Sequence, residues 1–471
     1  MKCYILTCDQ KMIMIEPLEN ESFVSRQKET ERTTTTVFAV FIASLLSVSF
    51  GFVLHFPNPL KLVNERWYTA GHISFVIAAS IGSVFARIFI DKLGRRSTIL
   101  MTSIISLLGY VLLIIGCPQI QSIEGFSNFI TGFGCIYCGI GVGMTSLVVP
   151  VYIAEVSSAR IRGIMGTITN HAIVFGIFLY SLTAEIYDWN VKYHYSALVG
   201  LVIVLLSFLI ILMPETPRWL LANNQRDKAF KNQLWLLGIE SNAEDECNNI
   251  EINLAHQHIA SVNDFRSPGL FRPLAIGSLL FLIHQFTLIG YINYLSHLLM
   301  HFKELYTIII CFLLQLVLSL VGCFIVERFY RRYLLLFGSA ILLFCSIGFA
   351  VLSDLKKAND KMWVAYLIIY AIIFITIWGS LPWIIASEIF PPRARGLLGG
   401  IVRSFIWLLF IPMERLFLWL VFENGSLWFT SSVSFISILF VYYIVPETKK
   451  LTLEEIEHYY LIYRGFRNYL L

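Results

Sequence analysis

The residues VFAVFIASLLSVSFGFVLHF, from Val37 to Phe56, run for twenty positions without a charged side chain. At 1.5 Å per residue a helix of that length covers about 30 Å, the hydrocarbon thickness of a bilayer. The pattern recurs twelve times, near residues 37–57, 68–90, 98–117, 126–153, 164–187, 194–213, 272–299, 306–326, 333–353, 362–387, 397–421 and 427–445. With 57% hydrophobic and 14% charged residues and a mean hydropathy of +0.71, the chain lies far from a soluble domain. The expected fold class is all-α, a polytopic membrane protein with twelve transmembrane helices.

A net charge of +4 would hint at nucleic acid in a soluble protein, but here the placement of Lys and Arg matters more. With both ends in the cytosol, segments on that side, together with Arg87 and Arg272 at the adjoining block ends, hold 26 of the 35 Lys and Arg, including Arg95, Arg96, Arg160, Arg162, Arg331, Arg332, Arg393 and Arg395. The outer loops hold seven, and Arg403 and Arg415 fall within the eleventh block. The bias predicts both termini inside. The expected segments are a cytosolic amino-terminal stretch (1–36), a first helical set (37–213), a cytosolic loop (214–271), a second helical set (272–446) and a cytosolic tail (447–471). "CYIL" near the start is too short for a cleavable signal peptide, and Asp9, Lys11 and Glu16 interrupt the residues after it. The sequon at Asn424 sits in an outer loop too short for ready glycosylation.

Nine cysteines are scattered without a disulfide framework. Cys135 and Cys138 form C-x-x-C inside a Gly-rich apolar block, where packing is the better reading. With no zinc spacing, phosphate loop or nucleophile elbow, neither an enzyme nor a metal or cofactor site is expected.

One long polar stretch, Pro214 to Arg272, splits the blocks six and six and reads as short amphipathic helices in a solvated connector. The halves repeat. Asp91-Lys92-Leu93-Gly94-Arg95-Arg96 matches Glu327-Arg328-Phe329-Tyr330-Arg331-Arg332 at an offset of 236. Glu155 to Arg162-Gly163 matches Glu388 to Arg395-Gly396 at 233, and Pro214-Glu215-Thr216 matches Pro446-Glu447-Thr448 at 232. Three pairs at nearly one offset mean an internal duplication. Every motif falls on the cytosolic face, where Arg at a helix's carboxyl end meets the negative end of the dipole and a neighbouring Glu can accept a bidentate pair. A ring of this kind, broken and remade, shifts a conformational equilibrium by a few kcal/mol. The plainer alternative is that the arginine clusters simply obey the positive-inside rule.

Taken together, "DKLGRR", "VPVYIAEVSSARIRG", "PETPRWLL", "VERFYRR", "LPWIIASEIFPPRARG" and "PETKKLTLEEI" resemble the sugar porter family of the major facilitator superfamily, most like its insect facilitated trehalose and glucose transporters. The resemblance covers about residues 37–456. It implies two six-helix bundles that rock about a central cavity. It also implies that Asp91, Arg95, Arg96, Glu155, Arg162, Glu215, Arg218, Glu327, Arg331, Arg332, Glu388, Arg395 and Glu447 hold the cytosolic gate.

The same resemblance points to substrate residues. The family's helix-five Gln is Asn170 here, and its helix-seven Gln-Gln and later Asn are His284, Gln285 and Gly290. Asn293, three residues beyond, points about 60° away and compensates only in part. Gln315 takes the place of a helix-eight Asn, and Trp383 and Trp407 match the tryptophans of helices ten and eleven. Amides that donate and accept, with indole rings over C–H faces, suit a sugar. Buried Asn and Gln also serve as helix-packing glue, and tryptophans as interface anchors.

Proton-linked members carry an Asp in helix one where this chain has Val53, which implies facilitated diffusion. Two departures stand out. Arg87 replaces a Gly at a close helix approach, and Glu414-Arg415 lie inside the eleventh block, where mutual pairing near the outer interface is expected. The expected function is therefore uniport of a hexose or disaccharide by a monomeric plasma-membrane protein. The alternatives are a sugar-binding receptor that does not transport and a proton-coupled transporter of another small polar solute. The partners would be the sugar and the lipid bilayer, not nucleic acid.

Overall fold

In the computed structural model, the described residues are 33–54, 65–116, 124–158, 161–186, 189–255, 268–301, 305–355, 360–391, 394–422, 425–449 and 456. Each apolar block is a helix. The first half holds α1 (Thr33–Leu54), α2 (Glu65–Leu93), α3 (Arg95–Ile115), α4 (Glu124–Val156), α5 (Arg162–Ile186) and α6 (Trp189–Ser207), which tightens into a 3₁₀ turn to Leu212. Three short helices follow: α7 (Pro217–Ala222), α8 (Arg226–Leu237) and α9 (Glu240–Ala255). The second half holds α10 (Pro268–His301), α11 (Leu305–Arg328), α12 (Arg331–Asp354), α13 (Asp360–Ile373), α14 (Leu381–Ile389), α15 (Arg395–Phe422) and α16 (Ser426–Tyr443). Among the described residues eleven spans are long and apolar enough to cross a membrane. Asn293 lies in α10, but its side chain, like Asn424 and Arg393, is outside the described residues.

The tenth block is broken. A π-helical turn, Phe374–Trp378, separates α13 from α14, and Gly379 N–H donates back to the Phe374 carbonyl at 2.6 Å. Pro382 falls in the first turn of α14, where its missing N–H costs nothing. π-turns are uncommon and concentrate at functional sites.

Close crossings hold each half together without a hydrophobic drive between helices. At the α1–α5 crossing a methyl on Gly51 would fall on the Ile173 carbonyl, and one on Gly176 on the Val48 carbonyl. Cys135 and Cys138 are free and buried, and the Cys138 sulfur packs against Gly109 of α3. The Arg87 departure is accommodated on the partner helix, where Gly400 of α15 offers only a hydrogen to the Arg87 Cβ.

The central segment is more than a solvated connector. Leu220, Leu221, Ala229, Cys247 and Ile250 form a small core of their own. It is also docked on the bundle. Thr35 Oγ1 donates to the Leu236 carbonyl at 3.0 Å, Trp219 Nε1 to the Asp91 carbonyl at 3.1 Å, and Asn232 Nδ2 to the Glu215 carbonyl at 2.9 Å.

Candidate functional site

The duplicated motifs converge at one end of the molecule, and each half builds the same charge cluster there. In the first half Arg95 Nη2 bonds Glu155 Oε1 at 2.8 Å, with both side chains buried. In the second Arg331 pairs with Glu388, and Thr448 Oγ1 accepts from Arg331 Nη1 at 3.0 Å.

Glu215 and Glu447 bind differently from expectation. Arg95 and Arg331 open α3 and α12; they do not close the preceding helices, so the dipole end they meet is positive. The carboxylates cap those ends instead. Glu215 Oε1 accepts the N–H of Arg95 at 2.8 Å and of Thr216 at 3.0 Å, and its Oε2 accepts that of Arg96 at 3.0 Å. Glu447 takes the N–H of Arg331 at 3.3 Å and of Arg332 at 3.0 Å. The Arg96 and Arg332 guanidinium groups turn to the carbonyls of Met213 and Tyr442. Burial pushes the Glu215 carboxyl above its ordinary range, against the opposing pull of the Thr216, Arg96 and Arg95 N–H groups. Gly94 makes the turn possible: its φ is +92°, and a Cβ there would meet Glu215 Oε2 at 2.5 Å. Its repeat partner Tyr330, at φ −69° and ψ 136°, reaches the same place by extended backbone.

A second layer of contacts joins the halves. Arg395 Nη1 of α15 lies 3.8 Å from Glu155 Oε1 of α4. Arg162 of α5 acts electrostatically on Glu388 of α14, the mirrored relation, and Arg218 adds positive charge near Glu155. Two acids reach across to helix amino termini: a Cβ on Gly396 would sit 3.2 Å from Asp91 Oδ1, and one on Gly163 would sit 2.6 Å from Glu327 Oε2. Anions at positive helix ends are favourable, by about 0.3–1 kcal/mol when exposed and more when partly buried.

Midway along the bundle the seam is aromatic. Trp383 of α14 meets Phe281 at 5.5 Å and His284 at 6.2 Å between centroids, both on α10, and His284 also meets Phe374 at 6.0 Å. Gln285 is buried beside His284, with its Nε2 unpartnered among the described residues. Trp407 forms a separate cluster, reaching Phe50 at 6.1 Å and Phe75 at 6.3 Å in the first half. The Asn170 amide lies across the seam against Gly379, in the helix break. Gln315 is buried on α11, one turn before Ser319, whose hydroxyl meets His171 Nδ1 of α5 at 2.6 Å. Where the resemblance lost an amide, at Gly290, a side chain would strike the Tyr370 hydroxyl at 2.8 Å, so that volume is already filled.

Three features escaped sequence reasoning. Arg403, noticed only as a stray charge, places its guanidinium carbon 3.9 Å from the Phe281 centroid and 3.7 Å from that of Trp383. His171 gave no signal beyond its polarity next to Asn170. Glu414 does not bond Arg415, which is exposed; its carboxylate lies 3.8 Å from His72 Nδ1 of α2.

Comparison with known proteins places this geometry. The family model "Sugar (and other) transporter" matches residues 14–460. A mouse protein, solute carrier family 2, facilitated glucose transporter member 8, is 26% identical over 91% of this chain and 95% of its own length. The facilitated trehalose transporter of Bombyx mori is 27% identical over 90% of this chain and 86% of its own. Among solved structures, the major facilitator superfamily proton:xylose symporter bound to 6-bromo-6-deoxy-D-glucose superposes with a TM-score of 0.77 at 22% identity, covering 91% of this chain and 100% of that one.

Proposed function

Because the chain belongs to the sugar (and other) transporter family and has the major facilitator fold, we propose that it moves a hexose or a disaccharide across the plasma membrane by facilitated diffusion. The observation that carries this reading is the mirrored charge layer between the halves. Contacts made by Asp91, Glu327, Arg395 and Arg162 cross from one half to the other, so they break when the halves part at this end. Pairs internal to a half, Arg95–Glu155 and Arg331–Glu388, travel with it and keep each bundle rigid. Alternating access then follows: the halves rock, the charged mouth opens, and the aromatic seam is exposed to one side at a time.

The charged mouth faces the cytosol, as do both termini, because the arginines gather there. Gln285, His284, Asn170, Gln315 and Asn293 supply polar contacts, and Trp383 and Trp407 cover the apolar faces of the sugar ring. The protein works as a monomer. The sugars named for the relatives, glucose and trehalose, are the first candidates. Uptake of radiolabelled glucose and trehalose into proteoliposomes, with and without a pH gradient, tests the reading. Saturable uptake indifferent to the gradient is expected. Uptake that follows the proton gradient overturns uniport, and binding without flux overturns transport.

A further inference from the structure

Arg403 lies outside the charged layer at the mouth, and its position demands a cause. It lies eight residues into α15, about 12 Å from the charged end of that helix, and only 7% of its surface is exposed. A buried cation is costly unless paired or hydrogen-bonded. The faces of Phe281 and Trp383 hold the guanidinium by cation–π attraction, yet rings offer no acceptor for its five N–H donors. Among the described residues no carboxylate lies within ion-pair distance of it. Glu155 and Glu388 are engaged at the charged mouth, and Glu414 is eleven residues further along α15, about 16 Å up the axis.

One donor nearby is unmatched. Gln285 Nε2 is buried without a partner among the described residues, next to the His284 ring that packs on Trp383. This part of the seam offers a surplus of donors and a fixed positive charge. A neutral hexose would supply hydroxyl acceptors but leave the charge uncompensated. A carboxylate would satisfy the guanidinium fork with two parallel bonds.

We infer that the transported solute is an anionic sugar, a hexose-sized polyol bearing one carboxylate such as a hexuronate, with its carboxylate on Arg403 and its ring over Trp383. This rests on the sugar-transport reading and narrows its substrate. The test is uptake of labelled glucuronate and labelled glucose into proteoliposomes, for wild type, Arg403→Gln and Arg403→Lys, at zero and inside-positive potential. Wild type takes up glucuronate saturably and faster at inside-positive potential, since one negative charge crosses per cycle. The glucuronate-to-glucose ratio falls at least tenfold in Arg403→Gln and by less in Arg403→Lys. Glucose uptake in wild type without glucuronate uptake or competition overturns the anionic solute and leaves the sugar reading standing, whatever the variants do. An unchanged ratio in Arg403→Gln overturns the role of Arg403. Absence of flux for glucose, trehalose and glucuronate in vesicles holding monodisperse protein overturns both.

Discussion

The sharpest test of the two-layer mouth is Arg395→Gln. Arg395 is 1% exposed, and its Nη1 lies 3.8 Å from the Glu155 carboxylate across the seam, while Glu155 keeps its 2.8 Å bond to Arg95 within its own half. On the proposed rocking motion, the substitution therefore removes a contact that only the shut mouth makes. Unit charges 3.8 Å apart attract by about 4 kcal/mol at an effective dielectric of about 20. Desolvation of the pair offsets part of this. If about 2 kcal/mol survives, the closed-to-open equilibrium moves about 30-fold. Hydrogen exchange by mass spectrometry reads this directly, because amides at the seam exchange through opening. Peptides over residues 91–98, 161–168 and 394–400 are expected to exchange about 30-fold faster, while those over 70–80, at the opposite end of α2, do not accelerate. Unchanged exchange at the mouth refutes the cross-half latch. Equal acceleration at both ends means that only global stability was lost.

Glu215→Ala strips the acceptor from the N–H groups of Arg95, Arg96 and Thr216; at about 1–3 kcal/mol for a buried unsatisfied donor, the thermal midpoint is expected to fall by several degrees, and an unchanged midpoint refutes the capping role. Glu447→Ala should do the same for α12, with a smaller drop because its bonds are longer. Gly94→Ala combines a φ of +92° with a Cβ 2.5 Å from Glu215 Oε2, and a loss of about 1–3 kcal/mol is expected in thermal unfolding; a stabilised variant contradicts the strain. Gln285→Ala should raise the half-saturation concentration for the transported solute about five- to tenfold at near-constant maximal flux, and equal values would return Gln285 to helix packing.

Most of the fold could be read directly. A run of about twenty apolar residues has one low-energy arrangement in a bilayer, so the twelve blocks announce their helices, though not the π turn that breaks the tenth. The duplication was equally legible, because symmetric halves need the same charges at the same offsets: Asp91 with Glu327, Glu155 with Glu388, Glu215 with Glu447. Partner choice was not. Asp91 and Glu327 look like members of one local cluster, yet they reach the opposite half, whereas Glu215 meets backbone N–H groups that have no sequence signature.

The sequence alone thus determined the class, the helical blocks, the repeat and which residues carry charge in the duplicated motifs, since hydropathy and charge placement are local properties. Tertiary structure decided what those charges touch and how the seam is lined. Arg403 in the corner between the perpendicular rings of Phe281 and Trp383, Tyr370 filling the space beside Gly290, and Glu414 turned to His72 join residues from different helices. Such meetings depend on helix rotation and crossing, which side-chain packing over the whole bundle sets and no single segment encodes.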